Sequence, residues 1–467
     1  MSTFSGLNTA NSALNAQRIA LEVAGQNVAN ANTAGYTRQR ATLEAISGPM
    51  TTMASTGPKP GLGVGVAGIE RLGDIFLDAR VRATGSSSSY LLARADTYTR
   101  IEKVMNEPSD NGLSAAFNDL WSSFQEVAKS PQTLATKQVV LERAQAVSTA
   151  LRAGYTDLET QWSQHRSELA GHIGEVNNAA QAVAELNGQI QLTTAAGGNT
   201  AELEDRRVTA LQTLSELTGA SARYREDGTV DVTVGGNLLV SGKSAQKMVL
   251  SGATSLTEVM STPAQELTVT WDRPGSPKVV FDGGTVSGLL TATDTPARGG
   301  LIAKVAEGYN NVATQTATQV NAILAGADNP ADLFTVTGEP AAKFLQISIT
   351  DPNALSVAAP GKGAFDGSIA DAVAQLGVAT DSPSAQWKAL AVGVGSAAKS
   401  AVSSAEVAYS AFETASNLQL SNASVDVDEE TVNMLAYQRG YQAASRVMTT
   451  IDEMLDQLIN RTGVVGR

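Results

Sequence analysis

The chain of 467 residues contains no cysteine, only two histidines and few aromatic side chains. Without cysteine there are no disulfides, no thiol nucleophile and no cysteine-ligated zinc or iron–sulfur centre. His165 and His172 lie seven residues apart on one predicted helix face, and two histidines do not complete a zinc site. They read better as polar positions that set helix register. Aromatics make up 5% of the residues, so alanine, serine, threonine and glycine do much of the filling, which suits closely spaced helices. Basic residues are in deficit: the formal charge of −13 argues against nucleic acid, which needs a basic face, and against a polybasic membrane anchor. No apolar run reaches the ~18 residues of a bilayer span. The N-terminus "MSTFSGLNTANSALNAQR" has neither a basic start nor an apolar core, so no secretory signal peptide is readable there.

Proline is also scarce where it matters. None precedes Pro49, none falls between Pro131 and Pro263, and none follows Pro383. Proline breaks helix interiors, so these three stretches are where long helices are expected. In the first, Leu7, Ala10, Leu14, Leu21, Ala24 and Val28 repeat at spacings of three and four, predicting a helix over 5–30 with a coiled-coil-like seam. In the second, the seam runs from Leu141 through Tyr155, Trp162, Leu169 and Val183 to Ile190. A helix of that extent is roughly 80 Å long at 1.5 Å per residue. "AAGGN" at 195–199 ends it, and a returning helix closed by Gly219 completes a long hairpin, hence a rod. In the third, one helix carries a mostly alanine seam from Trp387 to Ala415. The last helix carries Met434, Tyr437, Tyr441, Ala444, Met448, Ile451, Leu455 and Leu458. Its start is marked by "DVDEE", with Asp426 as N-cap and Glu429 three residues on, the capping-box spacing.

Residues 221–296 change character. "RYREDGTVDVTV" alternates about an Asp227-Gly228 turn, and "LTVTWDRPGSPKVVF" supplies two further strands. The expected fold is mainly α with an inserted β domain: a terminal helical assembly domain (1–60 plus 425–467) and a long helical bundle (61–220 plus 297–424). A mixed segment near 333–380 interrupts the bundle, and a β domain at 221–296 decorates the outside and is dispensable for assembly.

Catalytic signatures are weak throughout. "GVGVAG" at 63–68 matches G-x-G-x-x-G, but a prolyl loop precedes it and no βαβ pattern follows, so it reads as a glycine-rich connector. The acids at 426–430 lack the glycine and spacing of an EF-hand loop. No G-x-S-x-G elbow is present. The sequence calls for no enzyme activity, cofactor or metal.

The informative stretch is "NVANANTAGY" at 27–36. Asn30 or Asn32 ends the first helix, Gly35 tolerates a positive φ, and Tyr36 is the anchor that the turn delivers to an adjoining surface. The plainer alternative is a turn packed only on its own chain. With its flanks, "LNTANSALNAQRIALEVAGQNVANANTAGYTRQR" resembles the N-terminal motif of axial proteins of the bacterial flagellum. "GVGVAGIERLGDIFLDARVRA", "NEPSDNGLSAAFNDLWSSFQEVAKSP", "ELEDRRVTALQTLSEL", "VGGNLLVSG" and the ending "DEETVNMLAYQRGYQAASRVMTTIDEMLDQLIN" are similar to the hook-associated family of the hook–filament junction. The chain departs from the family at "ASVDVDEE", where Ser-Gly-Val often stands before the acids, and its β insert is small.

This resemblance implies a structural axial protein that assembles as a ring of subunits, with hook protein below and a second junction protein above. It also implies a cytoplasmic chaperone on the C-terminal region and export through the flagellar type III apparatus without a cleaved signal, to an extracellular site. The implied interface comprises the helix and turn positions Leu7, Leu14, Leu21, Val28, Asn30, Asn32, Gly35 and Tyr36 with the eight seam residues from Met434 to Leu458. Formal charge favours pairing of the ends: residues 1–60 carry four basic and two acidic groups, and 425–467 carry four and seven. Free of partners, such small-residue helices bury little apolar surface and are expected to be loose in the monomer. The alternatives are a hook or rod subunit of the flagellum and, from another class, a soluble helical adaptor or chaperone.

Overall fold

The computed structural model describes residues 3–47, 61–275 and 277–461. The expected terminal segment therefore lies partly outside the described residues, at 1–2, 48–60 and 462–467.

The chain opens with α1 (Thr3–Asn30), then an antiparallel ribbon of β1 (Gln39–Ala45) and β2 (Val64–Arg71). The glycine-rich stretch at 63–68, expected to be a connector, is thus mostly strand; because its partner is antiparallel, no dinucleotide-binding unit forms. Next come α2 (Ile75–Met105), α3 (Leu113–Lys129) and α4 (Leu134–Ala195). At 62 residues, α4 is about 90 Å long. It buries its predicted seam from Leu141 to Ile190, except that His172 stays partly exposed. His165 is fully buried and its Nδ1 lies 2.9 Å from Glu168 Oε2. The turn at 196–200 returns the chain into α5 (Ala201–Thr218), closed by Gly219 at φ 72°.

Residues 221–296 are not wholly β. Strands β3 (Ser221–Tyr224), β4 (Val230–Val234), β5 (Asn237–Ser241) and β6 (Ser244–Ala245) form one sheet, and β7 (Met248–Gly252) pairs with β8 (Leu267–Trp271) around a one-turn helix α6 (Leu256–Met260). The second strand expected in "LTVTWDRPGSPKVVF" is reduced to a bridge between Thr270 and Lys278. Then α7 (Gly284–Thr293) packs on α2 and α4, inside the bundle.

Nor is the β segment an appendage. Its apolar side, with Val230, Val232, Val240, Met248 and Trp271, belongs to the same buried cluster as Leu169, Val176 and Val183 of α4. Asn187 of α4 is fully buried and donates to the carbonyls of Val230 (2.8 Å) and Gly242 (2.7 Å), while its oxygen accepts from Val230 N (3.0 Å). One core asparagine therefore fixes where the sheet sits on the rod.

The bundle is completed by α8 (Leu301–Leu324), a mixed segment and a long return helix. The mixed segment holds β9 (Phe334–Val336), α9 (Ala341–Phe344), β10 (Leu345–Ile347) and α10 (Ser368–Ala374). In the return helix α11 (Pro383–Ala423), Ser382 caps the start and proline occupies the first turn, where its missing N–H costs nothing. Trp387 is buried with its ring edge on Tyr309, and its Nε1 donates to Glu107 Oε1 at 2.8 Å. Along most of its length α11 packs on α2 through small residues, and Gly85 lets the ring of Phe412 approach. The chain ends in α12 (Val427–Asp456) and a short π turn, antiparallel to and packed on α1.

Candidate assembly interface

The two chain ends meet as a helix pair. At its closest points it depends on the absence of side chains: a Cβ on Gly6 would sit 3.1 Å from Ile451 Cδ1, and one on Gly440 would meet Gln17 at 2.8 Å. The seam contact nevertheless differs from the sequence expectation. On α1 the buried positions are Ala10, Ala16, Ala20, Val23, Ala24 and Asn27, whereas Leu7, Leu14, Leu21 and Val28 are only half-buried. The alanine face admits α12 and the ribbon closely, which leaves the bulkier leucine row at the margin of the contact. On α12, Met434, Tyr437, Ala444, Met448, Ile451 and Leu455 are half-buried, while Tyr441 and Leu458 remain 42% and 53% exposed. An apolar groove of about 440 Å³ runs beside the contact, lined by Gly6, Ala10, Ala13, Ala444, Val447 and Ile451. On one flank of α12, Val432, Val447 and Met454 are 65%, 52% and 54% exposed.

The helix α1 ends at Asn30, whose Nδ2 donates back to Gln26 O (3.0 Å) and whose Oδ1 accepts from Thr33 (3.2 Å). Asn32 is exposed in the turn that follows, and Gly35 has φ 77° with its Cα facing Thr209 of α5. Tyr36, expected to reach an adjoining surface, is half-buried and makes its hydroxyl bond within its own chain. Its hydroxyl donates to Asn27 Oδ1 (2.9 Å), and the same oxygen accepts from Gln39 N (3.0 Å). Asn27 Nδ2 donates to Gln39 O at 2.8 Å, so one buried asparagine clamps the end of the helix to the first residue of the ribbon. Burial, with the carboxylates of Asp205 and Glu430 nearby, pushes the Tyr36 phenol up to about 12.

Charge organises the rest of the hub. Arg38 Nε lies 2.7 Å from Glu430 Oε1 and its NH1 2.9 Å from Glu429 Oε2. The acids of "DVDEE" therefore divide their work. Asp426 caps α12 by accepting from Asp428 N and Glu429 N, as expected. Glu429 does not reach back to close a capping box but faces Arg38. On the rod side, Asp205 of α5 accepts from Thr37 N (3.1 Å) on one oxygen and from Arg71 Nε (2.6 Å) on the other. Arg71 also lies 3.5 Å from Asp78, which accepts from Gln419 Nε2 (2.6 Å). The Arg71 guanidinium is penalised by burial, yet the bond to Asp205 and the charge of Asp78 hold it above its ordinary value. A polar cleft of about 620 Å³ separates the turn from α5, with Asn30, Gly35 and Tyr36 on one wall and Glu202, Asp205 and Thr209 on the other.

Arg38, Arg71, Asp205 and Glu430 were not named from the sequence as interface residues, although each falls in a motif that carries the family resemblance. Among the described residues no cluster of three or more metal-ligating side chains occurs, and no helix is long and apolar enough to cross a membrane. The arrangement holds helices together and presents apolar surface.

A family model described as the flagellar hook-associated protein FlgK helical domain matches residues 98–333. Models of flagellar rod proteins match the two ends, a basal body rod protein at 7–37 and the C-terminal region of the FlgEFG rod proteins at 419–461. Over the whole of both chains the sequence is 29% identical to flagellar hook-associated protein 1 of Bacillus subtilis. It is 27% identical to the protein of that name from Escherichia coli, over 61% of this chain and 51% of that one, with the same figures for Salmonella typhimurium. The match thus spans about half the length of those enteric relatives. The fold is that of the flagellar hook junction protein FlgK from Burkholderia pseudomallei, with TM-score 0.61 at 14% identity over 73% of this chain and all of the other.

Proposed function

The chain belongs to the family of the flagellar hook-associated protein FlgK, and from that premise we propose that it forms a ring at the hook–filament junction through its paired terminal helices. It is a structural component of the flagellum, from a family that is not enzymatic. The observation that carries the ring reading is the open apolar surface of the α1–α12 pair. A helix pair that served only its own subunit would bury its large apolar side chains, yet Val432, Val447 and Met454 are each more than half exposed, and the leucine row of α1 is half-covered. Neighbouring copies would bury both rows, and the freed water offsets the cost of ordering the helices.

The interface then comprises Leu7, Leu14, Leu21 and Val28 on α1, with the exposed Val432, Val447 and Met454 beside Met434, Tyr437, Tyr441, Ala444, Met448, Ile451, Leu455 and Leu458 on α12. Asn30, Asn32, Gly35 and Tyr36 complete the proposed interface, the turn holding the end of α1 while its exposed side faces a neighbour. The remaining partners in this reading are hook protein below, a second junction protein above, a cytoplasmic chaperone on the C-terminal region, and a type III export apparatus that carries the chain outside without a cleaved signal; assembly with other flagellar components, as in the family, supports it. The rod-protein likeness of the two ends supports a shared mode of axial packing, while the helical domain at 98–333 favours the junction over a hook or rod position.

Immunogold labelling of purified flagella tests the reading. A single band where hook meets filament is expected. Label spread along the hook, confined to the rod or found only in the cytoplasm would overturn it.

A further inference from the structure

We propose that neighbouring copies also meet at the far end of the rod, where Phe365 on the loop before α10 of one copy packs on the exposed face of α11 around Val392 of the next. The contact rests on the ring reading above but uses no residue of the terminal helices.

Helices α2 and α11 run antiparallel, with Gln419 bonded to Asp78 at the end nearer the chain termini and Trp387 to Glu107 at the other. The mixed segment between α8 and α11 belongs to that second end, where α10 packs on α3 and α8. Phe365 is 83% exposed there and Val378 80%, the highest values of any large apolar side chain among the described residues. The loop that carries Phe365 is a built one. Asp366 Oδ2 accepts from Ala359 N and from Ser368 Oγ, each at 2.7 Å, and Asp366 N donates to Gly363 O at 3.1 Å. Its setting is acidic: Asp328, Asp332, Glu339, Asp351, Asp371 and Asp381 are all exposed on this segment. Of its two lysines, Lys343 is held 2.7 Å from Glu159 and Lys362 stands near Asp366.

The first half of α11 has the opposite character. Residues 382–405 contain no acid and two lysines, Lys388 and Lys399. Lys388, Val392, Ser396 and Lys399 follow one another at spacings of four, four and three, so they share a helix face. All four are exposed, Val392 by 73%. Beside Val392, Gly393 has open space where a Cβ would stand, so an aromatic ring can lie close to the backbone. The two lysines bracket this floor about 16 Å apart along the axis. Glu102 of α2 comes near Gly395, on the flank turned towards the rod. The two surfaces therefore complement each other: a phenyl ring and carboxylates on one, an apolar floor between ammonium groups on the other. Both stay uncovered within a single copy. They lie at the same end of the rod, so copies standing side by side bring them to one height, and a contact between unlike faces repeats around a ring.

The test is disulfide trapping in purified flagella. The chain has no cysteine, and Ala364 and Ser396 are exposed beside the two halves of the contact. After mild oxidation, the double variant Ala364→Cys, Ser396→Cys should give a ladder of cross-linked copies of this chain, and each single variant should give none. Adding Lys388→Glu and Lys399→Glu, or Phe365→Ser, should abolish the ladder while the melting temperature of the purified monomer stays where it was, because these side chains are exposed. Flagella that show the immunogold band at the hook–filament junction but yield no ladder would overturn this contact and leave the ring reading standing. Without the band, the ring reading fails and the contact with it. A ladder that survives the charge reversal and Phe365→Ser would also overturn the proposal. So would a thiol-to-amine cross-link from Ala364→Cys to a chain of different mass, which would put another protein on Phe365.

Discussion

Arg38 Nε sits 2.7 Å from Glu430 Oε1 across 392 residues of sequence, joining the turn after the first helix to the first turn of the last. The Glu430 side chain is 4% exposed and Arg38 only 19%, whereas the second partner, Glu429, is 58% exposed. Removal of the arginine therefore strands a buried carboxylate, at about 3 kcal/mol, while Glu429→Gln should cost less than about 1 kcal/mol. The expected signature of Arg38→Ala is local: amide exchange should accelerate at 36–40 and 427–431 and remain slow along α4. Equal effects of Arg38→Ala and Glu429→Gln would show that the buried pair is not the stabilising one.

The Tyr36 phenol gives this hub an alkaline limit. Its folded value of about 12 lies above the unfolded 10.0, so its contribution to stability is complete below pH 10 and is lost as pH rises through 12. The side chain is half-buried and partly screened, so the effect is about 1 kcal/mol at most. Tyr36→Phe should remove one late phenolate step from the ultraviolet titration and flatten the decline in turn stability across that window. It should also cost about 1 kcal/mol at neutral pH through the lost bond to Asn27. Burial also raises Tyr155 and Tyr309, so the check is the number of late steps: a number unchanged by the substitution would exclude Tyr36 from them.

Much of the architecture was legible because the long helices are free of proline and their core positions are large. The α4 seam of Leu151, Tyr155, Leu158, Trp162 and Leu169 can face only one way. The helix α2 offered no such pattern: its buried positions include Gly85, Ser86, Ser88 and Thr97, chosen for close approach to neighbours rather than for hydrophobicity, so periodicity does not report them. The β1–β2 ribbon was missed because its strands lie on either side of a proline- and glycine-rich stretch and pair with a register shift at Thr42/Leu43. The interface was legible in part. Asn30 and Gly35 follow from local rules of helix ends, but the direction of Tyr36 depends on Asn27 and on Asp205, which comes from a distant helix. Arg71 and Asp205, separated by 134 residues, leave no local trace of their pairing.

The β layer supplies a prediction opposite to the dispensability expected of an external decoration. All four hydrogen bonds of the Asn187 side chain are made inside the protein, three to the sheet and one with Arg207 NH1 at 3.1 Å. Asn187→Ala leaves buried backbone groups without partners and should destabilise the rod by on the order of 3 kcal/mol in denaturant unfolding. Deletion of residues 221–281 should be worse, since it uncovers the apolar face of α4 and yields aggregated protein. A soluble deletion variant that unfolds with the parent's midpoint would restore the decorative view.

The seam itself is tested at Leu455, half-buried on α12 one turn from Ile451 and flanked by Asp452, Glu453 and Asp456. In the monomer the side chain is only partly covered, so Leu455→Asp should shift the main melting transition little, because that transition belongs to the rod. In a ring the same position would be enclosed by neighbouring copies, and an unpaired carboxylate there costs several kcal/mol per subunit. Incorporation at the hook tip should fail, and filament protein should escape into the medium. Secretion of the variant has to be measured in parallel, because a chaperone that uses the same row would produce the same loss without any defect in packing. A variant that is secreted, caps hooks and supports filaments would exclude Leu455 from the interface. A collapsed melting temperature would place the helix in the stability of its own subunit instead.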